Sequence, residues 1–303
     1  MSCGDHEIDC FAGVRLGLNT DSLAGLDLDD LLDVAARLGL DCVELPTGGW
    51  SPAPHVNLPR LLESDYARRE LLARVHGRGL EISALTCSGN QLDPRTGAGH
   101  DEIVRGTIAL APLLGVDRVI LMSGCPGGPP ESGAVLRRQW DDVVIPYWRG
   151  LAARAELHGV ARLCVEMHAQ QVVDDVPTLV RLRDAIGPVV GANYDPSHVM
   201  WMGADPLAAI GALGDAIHHV HATDSRAEPR PADDAAPRAW NHVTLGRGHD
   251  EAFWRAFCSR LQATGYDDVL SIEHQDDAVD PLLAVAESSA LLRRVSRTAR
   301  AAA

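Results

Sequence analysis

Seven times along this chain, a stretch with apolar residues at helical spacing closes on a glycine, and a strand-like apolar run follows close behind. The glycines are Gly39, Gly79, Gly115, Gly159, Gly187, Gly214 and Gly265. Glycine suits the left-handed cap at a helix C-terminus, so the recurring order of helix, glycine and apolar run marks a structural repeat. Successive glycines lie 27 to 51 residues apart, which matches a βα unit of roughly 30 residues with variable loops.

Strands are expected at Val14–Asn19, Asp41–Leu45, Leu80–Thr86, Val116–Met122, Ala161–Met167, Val189–Asp195, Ile217–His221 and Val269–Glu273. Helical patterns fall near 27–38, 64–78, 100–114, 137–158, 175–186, 205–213, 250–264 and 281–294. In the first, Asp27 can cap, and Leu28, Leu31, Leu32, Ala35 and Leu38 share one face. Eight alternating units point to an α/β fold, a closed (β/α)8 TIM barrel in a single domain, in preference to an open doubly wound sheet. The barrel is expected over 13–297, with a flexible N-terminal extension at 1–12 and a tail at 298–303. The stretch from Ala222 to Gly248 is long, rich in Pro and Asp, and reads as a lid or a disordered loop.

Composition removes several functions. The net charge of −15 opposes binding to nucleic acid or an anionic membrane, and the arginine pairs read as solvated helix faces. No lysine occurs anywhere, which excludes Schiff-base chemistry through a lysine amine. The seven cysteines are scattered and include no Cys-x-x-Cys pair, which favours a reducing compartment over zinc or redox chemistry at thiols. The first ten residues lack the pattern of a signal peptide, and no apolar run approaches membrane-spanning length, so a cytoplasmic location is expected.

The late strands end alike. Glu166 and His168 close the fifth, Asp195 and then His198 the sixth, His221 the seventh, Glu273 and His274 the eighth. In a parallel barrel these strand ends share the face that carries active sites. One histidine or glutamate at a strand end is more often an ordinary hydrogen-bonded residue than a ligand. Four consecutive strands delivering such groups shift the balance, because carboxylates in apolar strands such as Leu163-Cys164-Val165-Glu166 are costly to bury without a partner. Glu166, Asp195, His221 and Glu273 form a hard, oxygen-rich set suited to a divalent ion, manganese first, with magnesium, cobalt and zinc as alternatives.

The chain resembles the sugar phosphate isomerase/epimerase family of xylose isomerase-like barrels. The resemblance rests on Cys164-Val165-Glu166-Met167-His168, Gly191-Ala192-Asn193-Tyr194-Asp195-Pro196-Ser197-His198, His219-Val220-His221-Ala222-Thr223-Asp224, Thr244-Leu245-Gly246-Arg247-Gly248-His249-Asp250 and Leu270-Ser271-Ile272-Glu273-His274. It implies a metal held by Glu166, Asp195, His221 and Glu273. It also implies proton exchange by both glutamates from opposite faces of the substrate carbon, and contacts from His198 and Arg226 to sugar oxygens. His168, Asn90 and His249 complete the expected substrate contacts. Thr223, Ser88 and Ala169-Gln170 depart from the family pattern, which leaves the substrate and the exact reaction open.

Removing a proton beside a sugar carbonyl makes an enediolate, whose charge a divalent cation stabilises while two carboxylates take and return the proton. The expected function is a metal-dependent isomerase or epimerase of a small sugar-like keto compound. The same start serves a lyase or dehydratase that expels a β-leaving group from a 3-keto sugar, keto-inositol or keto-glycoside. A non-catalytic barrel acting as a binding or partner subunit is a third reading, and a homo-oligomer is compatible with any of them.

Overall fold

The computed structural model describes residues 14–127, 138–227 and 240–302, with side chains through residue 296. Eight parallel strands close into a barrel: β1 (Arg15–Asn19), β2 (Cys42–Gly49), β3 (Glu81–Ser88), β4 (Arg118–Met122), β5 (Arg162–Glu166), β6 (Val190–Tyr194), β7 (Ile217–Ala222) and β10 (Val269–Ile272). Strand order follows the chain around the barrel, and β10 pairs with both β7 and β1. All eight expected strands are present; only β2 runs well past its expected end, pairing with β3 as far as Gly49 and Ser88. The expected extension at 1–12 lies outside the described residues, and the expected tail begins within the last helix, which runs to Ala302.

The helices are α1 (Leu28–Arg37), α2 (Leu58–Glu63), α3 (Asp65–His76), α4 (Gly97–Leu110), α5 (Ile145–His158), α6 (Val176–Ile186), α7 (Pro196–Trp201), α8 (Pro206–Leu213), α9 (Glu251–Ala263) and α10 (Pro281–Ala302). Asp27 caps α1 by accepting from the Asp30 amide at 2.9 Å, and Leu28, Leu31, Leu32 and Ala35 are buried as the spacing predicts. Each leucine so buried contributes about 2 kcal/mol. All seven repeat glycines have positive φ, from 54° at Gly214 to 120° at Gly187. At Gly159 the left-handed conformation lets the amide return to Ala155 and Glu156 carbonyls, ending α5 just before β5.

Two short helices, α2 and α7, were not expected from periodicity. The stretch after β7 holds an antiparallel pair, β8 (Asp224–Ala227) and β9 (Trp240–Val243); residues 228–239 of the expected lid lie outside the described residues. At the barrel floor, Asp268 pairs with Arg118 at 2.5 Å, Arg15 at 2.8 Å and Arg162 at 2.9 Å, tying β1, β4 and β5 to the start of β10. Among the described residues no helix is long and apolar enough to cross a membrane.

Candidate metal centre

The four expected ligands meet at the carboxyl end of the barrel. Glu166 closes β5, Asp195 follows β6, His221 lies on β7 and Glu273 follows β10. Glu166, Asp195 and His221 each present a ligand atom within 4.8 Å of the others. Glu273 Oε2 lies 3.2 Å from His221 Nδ1, and Glu166 Oε2 lies 3.6 Å from the same nitrogen. Strands β5 and β10 therefore bring two carboxylates to one imidazole edge.

Asp195 divides its oxygens between two tasks. It caps α7, with Oδ1 accepting from the Ser197 amide at 2.7 Å, and the proline at the first helical position has no amide to satisfy. Its Oδ2 is buried with no hydrogen-bond partner among the described atoms. A buried carboxylate oxygen without a donor is costly, and a divalent cation beside Glu166 and His221 would satisfy it. Three carboxylates and one imidazole are the donor types such an ion takes. The residues present therefore fit a divalent cation.

Electrostatics point the same way. Burial would raise the Glu166 carboxyl, yet the His198 hydrogen bond and the nearby imidazoles outweigh it and hold the group at about 2. Burial works against a charged His198, but Asp195 and Glu166 lift it to about 9. His221 also stands well above its ordinary value despite burial, because Glu44 and Glu273 face its two nitrogens. Burial raises Glu273, and the charges of Glu166 and Asp195 add to that against the pull of His221. Together these carboxylates draw positive charge to the place where they converge.

Sequence reasoning missed Glu44, the most buried carboxylate of the group. It sits on β2 with no exposed surface. Its oxygens accept from Asn19 Nδ2 at 3.0 Å, Ser271 Oγ at 2.9 Å, His219 Nε2 at 3.1 Å, His221 Nε2 at 3.0 Å, and Thr86 Oγ1. The signal was present: Val43-Glu44-Leu45 is a charge inside an apolar strand, as Glu166 is. Asn193 on β6 was also missed; its Nδ2 lies 3.0 Å from Glu166 Oε2 and 3.1 Å from His221 Nδ1.

The remaining expected contacts divide. His198 Nε2 reaches Glu166 Oε1 at 2.8 Å, and its ring lies 4.7 Å from that of His168 and 6.1 Å from that of His242 on β9. His168 packs edge-on to Trp201, so these rings wall one side of the centre. Asn90 is occupied elsewhere: its amide bonds the Cys125 backbone in both directions, joining the loops after β3 and β4. His249 Nδ1 binds Asp224 at 2.8 Å, within a clamp in which Asp224 also accepts from the Gly246, Gly248 and His249 amides. Arg226 is exposed on β8, where it lines a 530 Å³ cavity with Trp240, His242 and Arg247. Trp50 is half exposed beside His100, and His55 bonds the Leu26 carbonyl.

The family model described as xylose isomerase-like TIM barrel matches residues 32–295. The chain belongs to the xylose isomerase-like TIM barrel family. It is 42% identical to the uncharacterized protein YfiH of Bacillus subtilis (strain 168) over 309 residues, covering 93% of this chain and 99% of that one. Among solved structures, it resembles an L-ribulose 3-epimerase with a TM-score of 0.68 at 18% identity, covering 95% of this chain and 96% of that one. A xylose isomerase-like barrel protein from Mycobacterium smegmatis in complex with magnesium gives the same TM-score and identity, with 95% and 97% covered.

Proposed function

We propose that this chain is a divalent-metal-dependent isomerase or epimerase of a small sugar-like keto compound, with Glu166, Asp195, His221 and Glu273 as metal ligands. The observation that carries this reading is the convergence of Glu273 and Glu166 on His221 Nδ1, at 3.2 and 3.6 Å, from strands on either side of it. When bound, the cation would stabilise the negative charge that develops on substrate oxygens as an enediolate forms.

The two glutamates are held unequally, which suggests a division of labour. Glu166 is fastened by His198 at 2.8 Å and Asn193 at 3.0 Å. Among the described residues, Glu273 receives two long hydrogen bonds, both 3.4 Å, from Asn19 and Thr223, beside its 3.2 Å contact with His221. In this reading Glu273 takes the proton beside the substrate carbonyl, and the Glu166–His198 pair returns one to the other face or to the neighbouring carbon. Proton exchange with water resets both groups. His168 and Trp201 wall the substrate side, and Arg226 contributes a cation from the β8–β9 pair.

Proton NMR of a keto-sugar panel incubated with manganese-loaded protein in deuterated buffer tests the proposal. Deuterium entering beside the carbonyl with the carbon skeleton kept is the expected result. Loss of a hydroxyl or glycosyl group would identify elimination instead, and absence of exchange across the panel would favour a binding barrel.

A further inference from the structure

We infer that Glu44 is a positioning residue that keeps the proton of His221 on Nε2 and so turns Nδ1, as a lone pair, toward the metal ligands. The inference rests on the proposed reading of His221 as a ligand. An ionised carboxylate only accepts, so the ring nitrogen 3.0 Å from both Glu44 oxygens must donate. The opposite nitrogen then faces Glu273 and Glu166. A carboxylate behind a ligating histidine fixes its tautomer and its ring angle.

Glu44 is itself rigidly seated. Asn19 and Thr86 hold Oε1, while Ser271 and His219 hold Oε2. These contacts come from β1, β3, β7 and β10, so the carboxylate is anchored by strands on both sides of the barrel. A competing assignment is a second ion among Glu44, His219 and His221, whose ligand atoms also lie within 4.8 Å of one another. The donors argue against it. A carboxylate offers about four lone-pair sites, and five donors already surround this one. Unlike Asp195 Oδ2, neither Glu44 oxygen is left without a partner.

Zinc calorimetry on wild type, Glu44→Gln and Asp268→Asn at the opposite end of the barrel, with nitrogen-15 NMR of the histidine rings, tests the inference. Glutamine can turn its amide N–H toward Nε2, which drives the His221 proton to Nδ1. The expected result is one zinc per wild-type chain with His221 protonated only at Nε2, about 10- to 100-fold weaker zinc binding in Glu44→Gln, and near wild-type affinity in Asp268→Asn. Protonation of His221 at Nδ1 in zinc-loaded wild type would overturn the inference even if the Gln variant does not fold. So would unchanged affinity in Glu44→Gln, an equal loss in Asp268→Asn, or two zinc ions of which Glu44→Gln loses one. A wild-type chain that takes no zinc, manganese or magnesium would instead overturn the metal reading beneath it.

Discussion

His198 Nε2 lies 2.8 Å from Glu166 Oε1, with both residues buried at the carboxyl end of the barrel. The contact joins α7, which follows β6, to the last residue of β5. It leaves His198 charged and Glu166 ionised over a wide pH range. His198→Ala should lower turnover by about a hundredfold, because it removes a proton carrier and strands a buried carboxylate. Steady-state kinetics on an active keto-sugar, with folding checked by circular dichroism, measures this.

The same pair has a pH signature in chelator-treated protein. His198 is raised to about 9, so its stabilisation is fully present below its ordinary 6.5 and is lost as pH rises through 9. Glu166 is lowered to about 2, so its part is present above 4.5 and is lost as pH falls toward 2. The stability gap between wild type and His198→Gln should therefore be widest between these limits and shrink toward either end. Urea unfolding across the range tests the shape of that curve.

At the barrel floor, Asp268 faces Arg118, Arg15 and Arg162. Burial alone would raise its carboxyl, but the arginines hold it at about 2, against an ordinary 3.8. Its contribution is present above 3.8 and lost as pH falls through 2, and amounts to about 2 kcal/mol near neutrality. Asp268→Asn should cost that much in urea unfolding at pH 7, with no loss of metal binding at the opposite end.

Gly248 sits inside the Asp224 clamp. A Cβ there would meet the Ser225 carbonyl at 2.4 Å and Asp224 Oδ1 at 2.6 Å. Gly248→Ala should cost about 1–3 kcal/mol through the forced shift. Thermal unfolding measures the loss, and the His249 ring, which hangs on the same carboxylate, should lose its ordered position.

Most of the barrel was legible because its repeat is local. Glycines such as Gly115 and Gly159 mark the helix ends, and apolar runs mark buried strands. The proposed ligand set was legible because Glu166, Asp195, His221 and Glu273 end consecutive units. Glu44 escaped because it lies mid-strand on β2, far in sequence from the histidines it holds, and only barrel closure brings it to them. The β8–β9 pair escaped for a related reason: four-residue strands carry little periodicity, and Asp224 and Asp276 fasten the adjoining chain through side chains. Asp195 showed the limit of local reading, since one carboxylate carries both a helix cap and a buried, unpartnered oxygen.

Metal content tests the proposed ligand set directly. Wild type and Asp195→Asn would each be incubated with manganese, freed of excess ion by gel filtration, and analysed by inductively coupled plasma mass spectrometry. One ion per wild-type chain is expected, and at least about tenfold less in Asp195→Asn, because the amide weakens a carboxylate whose buried Oδ2 has no other partner among the described atoms. No retained ion in wild type, or equal content in the two proteins, would contradict it.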